Sequence, residues 1–204
     1  MTNTLPRREI VLATRNRDKV FEMRETLAEM PIVILTLEGF PHAPEVVEDG
    51  DTLEANASKK ARMIHAHTGM PALADDTGLF VEALHGAPGV YSSRYAGESA
   101  TYRDNVQKLL GAMKNVPEHQ RRAEFRSVIA FAVEGEVHLI KGVCEGAIGY
   151  APKGEGQFGY DPVFIASASG RTFAEMTLAE KNNVSHRGRA LAAFKDFIRK
   201  RWSL

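Results

Sequence analysis

Two long strand-like runs, Arg122 to Val133 and Val137 to Tyr150, meet across Glu134-Gly135-Glu136. That pairing constrains the fold more than any other feature, because a glycine-bearing short connection between two such runs is a hairpin signal. Around it, strand and helix patterns alternate. Glu9 to Thr14 is a short branched apolar run, and from Lys19 apolar residues recur with helical spacing at Val20, Met23, Leu27 and Met30. Ile32 to Leu35 reads as a second strand. Glu38 to Gly50 is rich in proline, glycine and acids and reads as an exposed loop. Asp51 with Glu54 resembles a helix-start capping pair, and Leu53, Ala57, Ala61 and Ile64 give the buried stripe of the helix that follows. Another strand runs up to Asp75-Asp76. Thr101 to Met113 reads as helix through Val106, Leu109, Leu110 and Met113. Beyond the hairpin come a brief strand at Val163 to Ile165, a short helix near Phe173 to Ala179, and an amphipathic helix from His186 to Trp202 with Leu191, Phe194, Phe197 and Ile198 on one side. The prediction is an α/β fold, a mixed twisted sheet flanked by helices.

Length and composition narrow the function classes. At 204 residues with 44% hydrophobic content the chain fits one domain with a sizeable core, or one domain with two lobes. No repeat or long linker divides it, so residues 1–204 are expected to form a single domain. Lys plus Arg equals Asp plus Glu at 26 each, which argues against a polyanion-coating protein and so against a nucleic-acid partner. No segment suits a membrane span. The start, Met1 to Glu9, lacks the apolar core of a signal peptide, so export is not expected. A single cysteine, Cys144, excludes an intrachain disulfide and fits a reducing cytoplasm; its strand-like setting favours packing over nucleophilic chemistry.

Candidate chemistry lies where strands give way to loops. Ala74-Asp75-Asp76-Thr77-Gly78-Leu79 places adjacent carboxylates at the end of an apolar run, as a strand does when it delivers acids to an active-site rim. Neighbours in a strand point to opposite faces, so at most one can look directly into a cleft. A solvated Asp-Asp turn fits the same four residues equally well. Thr14-Arg15-Asn16-Arg17-Asp18-Lys19 lies between the first strand and first helix, where free amides and the helix dipole favour anions. It lacks the spacing of a P-loop, and a polar N-cap turn with a solvated Lys19 is the plainer alternative. Phe158-Gly159-Tyr160-Asp161-Pro162 offers aromatics that could stack on a nucleobase or plug the core. Lys181 and Arg187 bracket Ser185, a candidate N-cap, and His186; they could bracket an anion or stay exposed. Magnesium is commonly held by one or two carboxylates plus substrate phosphates, and the acids at Glu45, Glu48, Asp49, Asp51, Asp75 and Asp76 suffice for that. The 7 histidines show no zinc-ligand spacing.

Taken together, the segments Thr14-x-Asn16-x-x-Lys19, Asp75 to Leu79, Gly86-Ala87-Pro88-Gly89-Val90-Tyr91-Ser92-Ser93-Arg94-Tyr95, Phe158 to Pro162, and Lys181 with Ser185-His186-Arg187 resemble, in order and across nearly the whole chain, the inosine triphosphate pyrophosphatase-like enzymes. The resemblance implies an elongated mixed sheet in two lobes with a substrate cleft between them, a homodimer, and hydrolysis of non-standard purine nucleoside triphosphates (ITP, dITP, XTP) to monophosphate plus pyrophosphate. It implies Asp76 as catalytic base and magnesium ligand, with Glu48 sharing the metal. Thr14, Arg15, Asn16, Arg17, Asp18 and Lys19 are then triphosphate contacts, and Thr77, Phe158, Gly159, Tyr160, Asp161, Lys181, His186 and Arg187 further substrate contacts. Arg15 stands where bacterial members often carry Gly or His, Ala55 where many carry a glutamate, and Thr77 replaces a common serine. Two other readings stay open at this point: a Maf-like pyrophosphatase acting on other modified nucleotides, and a non-catalytic nucleotide-binding module.

Overall fold

The hairpin is formed as its sequence demands in the computed structural model, which describes residues 8–203. Strand β5 (Arg122–Val133) returns as β6 (Glu136–Ile148) through Glu134 and Gly135, whose φ angles of 53° and 82° are both left-handed. Glycine adopts that region without steric cost, and a two-residue turn of this hand matches the strand twist. The start of the chain through Arg7, on which the expectation about export rested, lies outside the described residues.

β1 (Arg8–Leu12) pairs in parallel with β2 (Ile32–Thr36) and with β3 (Ala72–Val81), Val11 lying opposite both Leu35 and Ala72. β4 (Pro88–Gly89) runs antiparallel to β3, and β7 (Phe164–Ala166) antiparallel to β6. The order is β2-β1-β3-β5-β6-β7, with β4 on β3. This is the mixed sheet that the alternating pattern predicts, flanked by α1 (Arg17–Leu27), α2 (Leu53–Thr68), α3 (Tyr102–Ala112), α4 (Leu178–Val184) and α5 (His186–Trp202).

The chain packs as two compact units, one comprising the residues up to Asp76, Val128–Ile140 and Ala190–Leu204, the other Thr77–Ser127 and Lys141–Arg189. In the first, Ile10 and Leu12 of β1, Leu73 of β3 and Phe131 of β5 bury against Met23 and Leu27 of α1 and Leu191, Phe194 and Ile198 of α5. The helical faces are the apolar stripes read from sequence. In the second, Leu79 of β3, Phe125 of β5, Cys144 of β6 and Phe164 of β7 close on Val106 and Leu109 of α3 and on Phe173. Burial pushes the Cys144 thiol up, in keeping with a packing role. Among the described residues no helix is long and apolar enough to cross a membrane.

Several local expectations need correction. The N-cap of α2 is Thr52, whose hydroxyl accepts from the Ala55 amide at 3.1 Å, and not Asp51. The helix expected over Phe173 to Ala179 is a 3-10 turn at Phe173–Glu175 followed by a fresh start at α4, each opened by its own capping box, Thr172 with Glu175 and Thr177 with Glu180. Asp75-Asp76-Thr77-Gly78 does not end a strand: it lies inside β3, which continues to Val81. Gly78 lets β4 close on β3 there, since a Cβ at that position would stand 2.5 Å from the Gly89 carbonyl oxygen.

Candidate active site

Carboxylates inside a buried strand need cations from elsewhere, because an unpaired buried charge costs several kcal/mol. Asp75 is fully buried and Asp76 nearly so, and each has its own lysine. Lys19, at the start of α1, reaches the Asp75 carboxylate at 2.9 Å and its carbonyl at 3.2 Å. Lys60, from the buried face of α2, donates to Asp76 Oδ1 at 2.7 Å, to the Asp75 carbonyl at 2.9 Å and to Glu48 Oε1 at 2.6 Å. One ammonium therefore holds together the two acids expected to share a metal. Burial raises the Asp76 carboxyl above the ordinary aspartate range; Lys60 and Lys19 pull the other way and Glu48 adds to the rise. Burial also works against the charge on Lys60, yet Asp76 and Glu48 hold its pKa above the ordinary lysine value, so it stays protonated.

The donor set fits magnesium. Two hard carboxylate oxygens already converge on a cation, and this metal takes few protein ligands, completing its shell with water and phosphate oxygens. No cluster of three or more His, Cys, Asp or Glu side chains suited to a metal occurs among the described residues.

The segment before α1 is more self-contained than an open anion cradle. Asn16 is the N-cap of α1, and its Oδ1 accepts from the Asp18 and Lys19 amides at 3.0 and 3.1 Å, while Thr14 Oγ1 accepts from the Asn16 amide at 3.2 Å. Two of the helix-end amides expected to meet phosphate are thus already bonded. Arg15 donates from Nη2 to the Ala43 carbonyl at 2.8 Å, tying this turn to the acid-rich loop. Arg17 and Asp18 are exposed on the first turn of α1.

The second unit gathers the other candidates around an aromatic ring. Lys181 Nζ and the Arg187 guanidinium lie 4.9 and 5.5 Å from the centre of the Phe158 ring, and Tyr102 meets that ring edge-on at 5.5 Å. Lys181 is also ion-paired with Asp161, both almost fully buried. Arg187 Nη2 donates to the Thr77 hydroxyl at 3.1 Å, linking α5 to β3. Gly159 holds a left-handed φ of 55° between Phe158 and Tyr160. Tyr160 is buried, donates its hydroxyl to the Ser92 carbonyl at 2.9 Å, and has its pKa raised by burial, so it plugs the core instead of offering a stacking face. His186 stacks on Phe125 with 4.5 Å between ring centres. Ser185 caps α5 through its hydroxyl on the Gly188 amide at 3.1 Å.

Lys60 is the residue missed in the sequence. Its signal was register: it lies three residues after Ala57 and four before Ile64, within the stripe that faces the core.

A profile of the Ham1 family matches residues 10–197. The chain is 50% identical to the dITP/XTP pyrophosphatase of Geobacter sulfurreducens over 93% of its own length and 96% of the relative's. It is 43% identical to the dITP/XTP pyrophosphatase of Shouchella clausii over 95% of the chain and 98% of the relative. Among solved structures, a HAM1 protein from Coxiella burnetii superposes with a TM-score of 0.86 at 42% identity, covering 95% of this chain and 99% of that one. The Staphylococcus aureus Ham1 protein gives 0.84 at 33% identity, covering 95% and 100%.

Proposed function

This chain belongs to the Ham1 family, and from that premise we propose that it hydrolyses non-standard purine nucleoside triphosphates, dITP, ITP and XTP, to the monophosphate plus pyrophosphate. The observation that carries the reading is the convergence of Asp76 and Glu48 on Lys60, at 2.7 and 2.6 Å, one peptide bond before the Thr77 that Arg187 engages. Within the first unit the acids suit a metal ion and the phosphates that accompany it; within the second, the Phe158 ring with its flanking cations suits a flat base. The profile match over residues 10–197 supports taking the whole chain as one catalytic domain. It acts in the cytoplasm as a homodimer; sedimentation of the pure protein tests the dimer, and cell fractionation the compartment.

In the proposed reaction a water attacks the α-phosphorus, a P–O bond forms on that side, and the bridge to the β-phosphate breaks as pyrophosphate leaves. Asp76, hydrogen-bonded to Lys60 through Oδ1, accepts the water's proton; its raised pKa makes it a better base than an exposed aspartate. Glu48 and Asp76 would hold magnesium, which supplies charge neutralisation on the phosphates and a polarised water. Lys60 fixes the spacing of the two acids, and Lys19, held by Asp75, faces the charge that accumulates on the leaving group. Thr14 and Asn16 order the turn that carries Lys19.

Base choice rests on the 6-oxo group, an acceptor where adenine presents a donor. A buried donor left unpaired by adenine costs about 1–3 kcal/mol. The test is pyrophosphate release from ITP, XTP, dITP, GTP and ATP at equal concentration, with magnesium and with chelator. Expected is release dependent on magnesium with ATP far behind, while GTP, which shares the 6-oxo group, reports separately on tolerance of a 2-amino group; comparable kcat/KM for ATP and ITP refutes the specificity.

A further inference from the structure

Glu48 lies in a stretch with no helix or strand between Gly39 and Leu53, so its usefulness as a ligand depends on how firmly that backbone is held. We infer that Asn56 is the positioning residue that holds it: its buried side-chain amide clamps the loop backbone at Gly50 and so sets the placement of Glu48 for a divalent cation. The inference rests on the reading of Glu48 and Asp76 as metal ligands.

The clamp is two-sided. Asn56 Oδ1 accepts from the Gly50 amide at 2.8 Å, and Asn56 Nδ2 donates to the Gly50 carbonyl at 3.3 Å. Asn56 is 1% exposed, so these bonds are shielded from water. It precedes Lys60 by four residues, which puts both on one face of α2. One helix face therefore grips the loop twice, by its backbone through Asn56 and by its carboxylate through Lys60. The approach is close enough to require glycine: a Cβ at Gly50 would stand 2.8 Å from Asn56 Oδ1 and 2.9 Å from the Ala55 Cβ.

The two grips differ once a cation arrives. A metal competes with the Lys60 ammonium for the same Glu48 oxygens, whereas the Asn56 clamp touches only backbone and persists. The other tether from α2, Lys59 to Asp49 at 2.6 Å, is largely exposed and contributes little. Partners that orient a ligand typically account for about 10–100-fold in metal affinity. Asn56 has that standing here.

The test measures binding of Mn2+, without nucleotide, to wild type, Glu48→Gln, Asn56→Ala and Gly50→Ala by water-proton relaxation, beside melting temperature and amide exchange over residues 44–52. Expected is weaker Mn2+ binding by about tenfold or more in Asn56→Ala, with faster exchange across the loop, and kcat near wild type once magnesium saturates. Gly50→Ala strikes the same contact from the loop side and weakens Mn2+ likewise. In the double variant, Asn56→Ala removes one of the two atoms the new methyl would strike and leaves the Ala55 Cβ, so the losses are less than additive. A drop in melting temperature with Mn2+ affinity unchanged in both single variants overturns the inference, and if Asn56→Ala does not fold, unchanged affinity in Gly50→Ala alone overturns it. A wild type that binds Mn2+ no better than Glu48→Gln removes the metal-site reading and this inference with it.

Discussion

Two buried lysine–aspartate pairs, Lys60 with Asp76 and Lys181 with Asp161, sit in different units at nearly the same depth, each side chain less than a tenth exposed. Their surroundings differ. Lys60 also holds a second carboxylate, Glu48, so this group carries one negative charge more than the ammonium offsets. Lys181 instead faces two aromatic rings, Phe158 at 4.9 Å and Phe173 at 5.6 Å, and Arg187 adds a further cation beside the first ring. The same ion pair thus serves two purposes. In the proposed reading, the surplus acid beside Lys60 suits a further cation and the phosphates that travel with it, and the Phe158 face beside Lys181 suits a flat, uncharged ring.

The contrast can be broken most decisively at Asp76. Asp76→Asn keeps the shape and removes the base, so turnover falls by on the order of a hundredfold or more while circular dichroism is unchanged. Asp161→Asn retains far more of kcat; near-normal pyrophosphate release by Asp76→Asn ends the assignment. Next come Lys60→Met and Lys181→Met. Each strands buried carboxylate and costs about 3–5 kcal/mol of stability. Magnesium restores part of the loss only in Lys60→Met, because the ion can replace the missing ammonium between two acids; thermal melts with and without magnesium that respond alike in both variants break the comparison. Phe158→Ala has a smaller effect, about 1–3 kcal/mol of nucleotide binding seen in KM, with the magnesium concentration for half-maximal rate unmoved.

The smallest effect is at the start of α4, which carries Lys181. Glu180 is lowered from 4.5 to about 2, by its hydrogen bond to Arg171 first and then by the backbone and hydroxyl of its capping partner Thr177. Because the folded value lies below the ordinary one, this contribution is complete above pH 4.5 and is lost as pH falls toward 2. An NMR titration of the Glu180 carboxyl should show that midpoint in wild type and a higher one in Arg171→Ala, still below the ordinary value because the Thr177 hydrogen bonds remain.

Sequence made the scaffold legible wherever the signal was local. The Glu134-Gly135 turn, the α5 stripe and the Ser185 cap could all be read because each depends on neighbouring residues. What failed depended on distant ones. Asp75 and Asp76 look like a turn until Lys19 and Lys60, 56 and 16 positions away, neutralise them inside a strand. Lys60 itself passes for a solvated helix residue unless its place in the stripe is weighed above its charge. At α2, Asp51 and Thr52 can both cap, and burial of Leu53 selects the phase. The double start at Thr172 and Thr177 was readable in two successive Thr-x-x-Glu boxes, which the apolar pattern across Phe173 to Ala179 obscured.

The setting of Cys144 has a practical consequence for spectroscopy. Its thiol is 1% exposed and its pKa is raised by burial, so maleimide and iodoacetamide reagents find little thiolate to attack in the folded chain. A cysteine introduced at an exposed position, such as one replacing Tyr150, is then the only fast-reacting thiol. Spin or fluorescent labels can report on either unit without first removing the native cysteine from its core.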